Sequence, residues 1–367
     1  MKWNKMRTVS FLCLITLWLG LAGWMWLRTP DAYSDSERRP LEQFPTVTVD
    51  SILSGKFMVD FEDYTLDQFP MRDRFRQLKS LFVYNGLQQL DNNGIFISQG
   101  SAAALEYPMK QSSLERAAKK FQELRELYFP DSKVVFAMVP DKSCYLAPQG
   151  GYLHMDYQLL ESQMQTLMPW ADHVSLLDLL EASDYYRTDT HWRQEHIVPV
   201  AQAIGQALGV QLPGLDSYTV TKVEKPFYGV YYGQAALPME GEDMYILRSE
   251  WLDNSTVYTY DTGVTSAVYD LTKLETSKDQ YDVFMSGSAA VQFLENPNAR
   301  TDKELIVFRD SFGSSLIPLL AAEYSRITVL DTRYVAPSLL GSIVEFKGQD
   351  VLMMYSTLVL QSSAILR

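Results

Sequence analysis

The chain has 367 residues, enough for one large or two modest domains, and its 47% apolar content is that of a folded rather than a disordered protein. A net charge of −13 argues against a generic nucleic-acid binder. Of the two cysteines, Cys13 lies in an apolar N-terminal run and Cys144 stands alone, so no disulfide framework holds the folded part.

In chain order, Lys2, Lys5 and Arg7 precede residues 8–27, a run without charge that holds Trp18, Trp24 and Trp26. About twenty helical residues rise roughly 30 Å, the thickness of a hydrocarbon core. A cleaved signal peptide is the alternative. The run is long for one, and it ends in bulky Trp24-Met25-Trp26-Leu27 where a peptidase needs small residues. The reading is an uncleaved membrane anchor. Basic residues precede it, while Arg28 is followed by Asp31, Asp35 and Glu37. That bias puts the amino terminus in the cytoplasm and the rest of the chain outside the membrane. Residues 1–28 are then the cytoplasmic tip and anchor. Residues 29–46, broken by Pro30, Pro40 and Pro45, are a spacer.

Residues 47–367 read as one domain. Periodicity predicts mostly helix over 47–90 with a break at Pro70, then a turn at Asn92-Asn93-Gly94 before a short strand at 95–97. Helices are expected over 114–128, 156–168 and 194–208. A strand over 133–139 ends at Pro140-Asp141-Lys142, and 174–180 is a strand or short helix. Residues 212–298 change character and read as a β-rich insertion. Its tyrosines, including Tyr228, Tyr231, Tyr232, Tyr245, Tyr258 and Tyr260, form either a sugar-stacking surface or the apolar faces of short strands. Beyond it, apolar strands at 305–308, 327–330 and 351–355 alternate with helices. That order means an α/β fold, a parallel sheet with helices on both faces.

Two stretches carry candidate chemistry. Phe308-Arg309-Asp310-Ser311-Phe312-Gly313 follows a buried strand and opens a helix. A serine there sits at the carboxyl edge of the sheet, beside backbone N–H groups able to hold an oxyanion; otherwise Ser311 is a helix cap and Asp310 a turn residue. In Tyr186-Arg187-Thr188-Asp189-Thr190-His191-Trp192, residues i and i+2 of an extended segment point the same way. Asp189 then reaches Nδ1 of His191 and leaves Nε2 free to take a proton from Ser311. His191 is otherwise a structural histidine or a metal ligand. The chain has only His154, His173, His191 and His196, none in a zinc-helix spacing, so no metal is expected. Arg333 follows the strand at 327–330. A short right-handed crossover should make that strand a neighbour of the one bearing Ser311, which brings Arg333 to the same edge. There it would stabilise an oxyanion, hold a carboxylated sugar, or pair with Asp331.

Asp-Thr-His-Trp and Arg-Asp-Ser-Phe in one chain resemble the DHHW family and the related alginate O-acetylation proteins of the SGNH-hydrolase-like superfamily. Further matches are Phe61-Glu-Asp-Tyr64, Asp67-Gln-Phe-Pro-Met-Arg-Asp73, Val139-Pro-Asp-Lys142, Asp310-Ser-Phe-Gly313 and Asp331-Thr-Arg-Tyr334. The resemblance covers almost everything after the anchor. It implies a flavodoxin-like, SGNH-like domain outside the cytoplasm, with Ser311 matching the nucleophile, His191 the base and Asp189 its orienter. Arg309 departs from the pattern, standing where the superfamily often has glycine; it either sets a cation beside the site or crowds it. Thr190 stands where the family name has its first histidine. Arg333, Lys142, Arg309, Trp192 and Tyr355 are the candidates for substrate binding or oxyanion stabilisation. The activity implied is O-acetyl transfer to a cell-surface or secreted polysaccharide, served by a multi-spanning membrane-bound O-acyltransferase and with no cofactor. A carbohydrate esterase and a non-catalytic envelope or exopolysaccharide-assembly protein are the alternatives.

Overall fold

In the computed structural model, which describes residues 2–367 and side chains from Lys5 onward, eight strands form one mixed sheet. They are β1 (Val134–Val139), β2 (Asp172–Val174), β3 (Thr256–Thr259), β4 (Val264–Ala267), β5 (Val291–Glu295), β6 (Glu304–Arg309), β7 (Arg326–Leu330) and β8 (Asp350–Ser356). Their order across the sheet is β4-β3-β5-β7-β6-β8-β1-β2. The pairs β7/β6, β6/β8, β8/β1 and β1/β2 are parallel, whereas β5/β7, β3/β5 and β3/β4 are antiparallel. Part of the 212–298 stretch thus adds three antiparallel strands to the parallel sheet. The neighbours expected for Ser311 and Arg333 are present, with Phe308 in register with Leu330.

The strands are apolar runs because both faces are covered. Side chains alternate between faces at a period of two. Val135, Ala137, Leu305, Val307, Leu352 and Met354 join one core. Against it pack α8 (Val198–Leu208) and α9 (Gly313–Leu320), through residues such as Ile204, Leu316 and Ile317. Phe136, Met138, Ile306, Phe308, Met353 and Tyr355 join the other core, under α5 (Gln111–Tyr128) and α7 (Tyr157–Leu167), with the short α6 (Ser143–Gly150) between these two in the chain. The helix expected over 194–208 begins with a tight turn at Gln194–His196, and α8 starts only at Val198, with Pro199 in its first turn.

The chain divides into two compact units, residues 94–231 with 239–367, which hold this sheet, and residues 1–93 with 232–238. In the latter, α1 (Lys2–Leu27) is long and apolar enough over Lys5–Leu27 to cross a membrane. It is followed by α2 (Val49–Leu53), α3 (Lys56–Asp67) and α4 (Arg72–Leu81). Trp26 stacks on Phe61 at 6.3 Å, and Trp18 meets Phe69 at 5.6 Å. Arg39 forks onto Asp67 at 2.8 and 2.6 Å, while Arg72 and Arg76 both reach Glu37.

Parallel strands end together, so β6, β7, β8 and β1 deliver Ser311, Asp331, Thr357 and Asp141 to one edge. Buried carboxylates stitch that edge. Asp310 accepts the N–H of Phe312 at 3.0 Å and that of Ser356 at 2.7 Å, tying the end of β6 to the end of β8. Asp141 accepts the Tyr157 hydroxyl at 2.7 Å, the Thr357 hydroxyl at 2.8 Å and the Ser143 N–H at 2.9 Å. Removing that carboxylate orphans three donors in a dry interior. Asp141→Ala is expected to cost roughly 1–3 kcal/mol of stability, and Asp141→Asn less because an acceptor remains. Denaturant unfolding of the two variants checks this, and equal midpoints for wild type and Asp141→Ala would refute it.

Candidate active site

Ser311 stands in the turn between β6 and α9. The Asp310 side chain caps this turn, and the Gly313 N–H donates to the Asp310 carbonyl at 3.0 Å. A side chain at position 313 would begin about 3 Å from the Arg309 stem, which is why glycine opens the helix. Ser311 is half-buried, with its hydroxyl directed at a second segment.

That segment is a bend, not the extended segment expected from the Asp-Thr-His spacing. Tyr185 pairs with Trp192, the Tyr186 N–H donates to the His191 carbonyl at 3.1 Å, and the residues between fold back. The Asp189 Oδ1 accepts both the backbone N–H of His191, at 2.9 Å, and its ring Nδ1, at 2.6 Å. The two side chains therefore meet through an Asx-type turn. An ionised carboxylate only accepts, so Nδ1 carries the proton and Nε2 is left as acceptor. Nε2 lies 2.8 Å from the Ser311 Oγ. Asp189 is wholly buried, and its Oδ2 accepts the Val230 N–H at 2.7 Å. The approach of the 229–230 segment is close: a Cβ on Gly229 would fall 2.2 Å from the Asp189 Cβ and 2.4 Å from the Thr188 carbonyl oxygen.

Aromatic rings fix the imidazole plane. Tyr281 stacks on His191 at 4.0 Å and 8°, and Phe312 tilts against it at 5.0 Å. The Tyr281 hydroxyl donates to the Ser315 Oγ at 2.7 Å, and the Trp192 indole N–H donates to the same atom at 2.9 Å. The histidine is thus braced from the first turn of α9, the helix that follows Ser311.

A cation and an anion clamp the bend. The Lys142 Nζ donates to the carbonyls of Tyr186 and Arg187 at 2.7 and 3.1 Å, and lies 5.1 Å from the Tyr231 ring centre. Glu242 accepts the N–H groups of Arg187 and Thr188, both at 3.0 Å, and the Thr188 hydroxyl at 3.2 Å. Burial lowers the Lys142 pKa to about 7, despite the pull of Asp189, Glu242 and Asp141.

The other residues singled out from sequence have separate places. Arg309 is fully buried; its guanidinium donates to Gln292 Oε1 at 3.0 Å and to the Asp310 carbonyl at 3.3 Å. Trp192 and Tyr355 have no accessible surface, and the Tyr355 ring stacks on Phe121 at 4.8 Å. These three offer a substrate no surface. Arg333 grips Asp331 with two bonds, at 2.9 and 2.6 Å. Burial opposes its charge, but Asp331 outweighs that and raises its pKa above the usual arginine value. Sequence reasoning missed Glu242, Tyr281, Ser315 and Gly229. Glu242 is 54 residues from Thr188 and Tyr281 is 34 from Ser315, so no local spacing announces either.

No family model and no curated protein matches the sequence. Solved structures do. A DHHW family protein from Eubacterium siraeum aligns with a TM-score of 0.61 at 20% identity, over 75% of this chain and 94% of its own. The fold is that of the DHHW proteins. Bacillus cereus PatB1 aligns at 0.59 and 20% identity, over 72% of this chain and 96% of its own. PatB1 with a sulfonyl adduct aligns at 0.57 and 18%, over 74% and 96%.

The Lys142 clamp has a signature in pH. Between a folded pKa of about 7 and an ordinary lysine value, the unfolded chain holds a proton that the folded chain lacks. The protonated fold is penalised, so this contribution to stability rises with pH from about 7 towards 10. Lys142→Met should flatten that rise in unfolding midpoints followed across the same range. A variant that keeps the wild-type slope would show that Lys142 does not titrate in this window.

Proposed function

We propose that the protein is a membrane-anchored, extracytoplasmic O-acyltransferase that places acetyl groups on hydroxyls of a cell-surface or secreted polysaccharide. The observation that carries this reading is the continuous chain from Ser311 Oγ to His191 Nε2 at 2.8 Å and from His191 Nδ1 to Asp189 at 2.6 Å. In the first step the Ser311 oxygen attacks the acyl carbon of the donor as its proton passes to Nε2. The donor's leaving group then takes that proton, and the acyl group stays on Ser311. In the second step a sugar hydroxyl attacks the acyl-serine. His191 accepts its proton and returns it to the Ser311 oxygen. Asp189 holds the tautomer and balances the imidazolium. Stacking on Tyr281 keeps the ring in plane through both steps.

The acetyl donor has to arrive at the membrane, which suits a multi-spanning membrane-bound O-acyltransferase as the partner. α1 would hold the domain beside it, with the amino terminus in the cytoplasm, as the flanking charges favour. In this reading Arg333 fixes the loop after β7. Its Nε and Nη2 are tied to the Asp331 carboxylate.

A sulfonyl fluoride is a fitting probe, since PatB1 is described with a sulfonyl adduct. Ser311→Ala should lose labelling and acetyl transfer with an unchanged unfolding midpoint. Asp189→Asn should slow transfer about 10³–10⁴-fold. Labelling of Ser311 with release of acetate, but none onto a polysaccharide acceptor, would make the protein an esterase. No labelling at Ser311 in the folded protein would overturn the reading. Arg333→Ala should cost about 1 kcal/mol of stability and leave labelling intact. A large fall in turnover without destabilisation would instead put Arg333 among the substrate contacts.

A further inference from the structure

The helix α4 is basic and amphipathic, and its apolar face is uncovered. Phe75, Leu78 and, in the following turn, Phe82 are 43%, 63% and 59% exposed. At 100° per residue they fall within about 60° of one another, with Arg74 and Lys79 about 40° outside them on either side. The four cations of this helix divide. Arg72 and Arg76 are held by Glu37. Arg74 and Lys79 have no carboxylate partner among the described residues; Arg74 meets only Gln77, at 3.3 Å. The unpaired cations are therefore the two that flank the apolar face.

The same face is continuous with the apolar helix. Trp18, Ala22 and Met25 of α1 line one side of an open groove of about 680 Å³; Leu66, Phe69 and Phe75 line it from the other elements, together with Thr65 and the cations Arg72, Arg76 and Lys79. The ring contact of Trp18 with Phe69 fixes the depth of this groove along α1. Trp18 stands roughly nine residues, or about 14 Å of helix, before Leu27. If α1 crosses a bilayer, whatever packs against Trp18 lies below the headgroups, among acyl chains.

We propose that α4 and the Phe69–Met71 turn before it are embedded in the leaflet that surrounds the carboxyl end of α1. Phe75, Leu78 and Phe82 would contact acyl chains, and Arg74 and Lys79 would reach up to anionic phospholipid headgroups. The occupant of the groove is then a phospholipid. The paired state of Arg72 and Arg76 fits this placement, since a charge near hydrocarbon is tolerated when it is neutralised. Such embedding would hold residues 1–93 flat against the membrane instead of on a free stalk. The inference rests on the reading of α1 as a membrane span, made under the proposed function.

The test uses the full chain with Cys13→Ser and Cys144→Ser, reconstituted in vesicles of phosphatidylcholine and phosphatidylglycerol with no other protein. Single nitroxide labels are placed at Ile15→Cys in α1, at Leu78→Cys in α4 and at Lys119→Cys on the exposed face of α5. Collision with oxygen is compared with collision with a nickel chelate. Labels at 15 and 78 should favour oxygen and the label at 119 the nickel chelate. Adding Arg74→Gln and Lys79→Gln should shift the label at 78 toward nickel. A label at 78 as open to nickel as that at 119, with the label at 15 still in hydrocarbon, would overturn the proposal while leaving the anchor intact. The face would then await a protein. Nickel access at 15 would remove the anchor, and the embedding with it.

Discussion

The candidate site depends on one buried carboxylate. Asp189 has no accessible surface, yet it accepts the ring and backbone N–H groups of His191 on one oxygen and the Val230 N–H on the other. A carboxylate out of water is tolerated only when donors replace its hydration. Here the donors that satisfy Asp189 also set the histidine's tautomer and orientation. The close passage of Gly229 completes the arrangement, because only a residue without a Cβ lets the 230 segment bring its N–H within reach. The requirement that a buried charge be paid for in hydrogen bonds is thus what points Nε2 at Ser311.

The bend that carries Asp189 has little regular structure of its own. A segment with few internal bonds orders only if outside groups meet its backbone. Lys142 takes two of its carbonyls and Glu242 two of its N–H groups, and both side chains come from elsewhere in the fold. Burying a lysine is unfavourable while it is charged, which is why its pKa falls to about 7. A neutral amine still has two N–H donors, so the carbonyl bonds survive the loss of the proton. The clamp therefore acts through hydrogen bonds more than through net charge.

The sheet supplies the other half of the site. Parallel strands in register end at one edge, and Asp310 locks the end of β6 to Ser356 at the end of β8. Ser311 is held on a turn whose backbone cannot shift without breaking that lock. Ser315, one turn further along α9, receives both Tyr281 and Trp192. The helix that follows the serine thereby also braces the histidine, so one rigid element sets both members of the pair.

Much of this was legible in the chain itself. Largely apolar runs at 134–139, 305–308, 327–330 and 351–355, alternating with helices, determine a doubly covered parallel sheet, because such runs are buried on two faces. The strand-to-helix position of Ser311 and the adjacency of Asp189 to His191 are local properties, and local properties are written in spacing. The sequence also determined an N-terminal helix long enough to cross a membrane. Tertiary structure alone decided the rest. It turned the Asp-Thr-His segment into a bend, sent Trp192, Arg309 and Tyr355 into the interior, and paired Arg333 with Asp331. It joined β3, β4 and β5 to the main sheet in antiparallel order. It also brought Glu242, Tyr281 and Gly229 to the site from a stretch whose composition says only that it is rich in strand. Such partners meet across tens of residues, and a single sequence has no periodicity that encodes a contact made by folding.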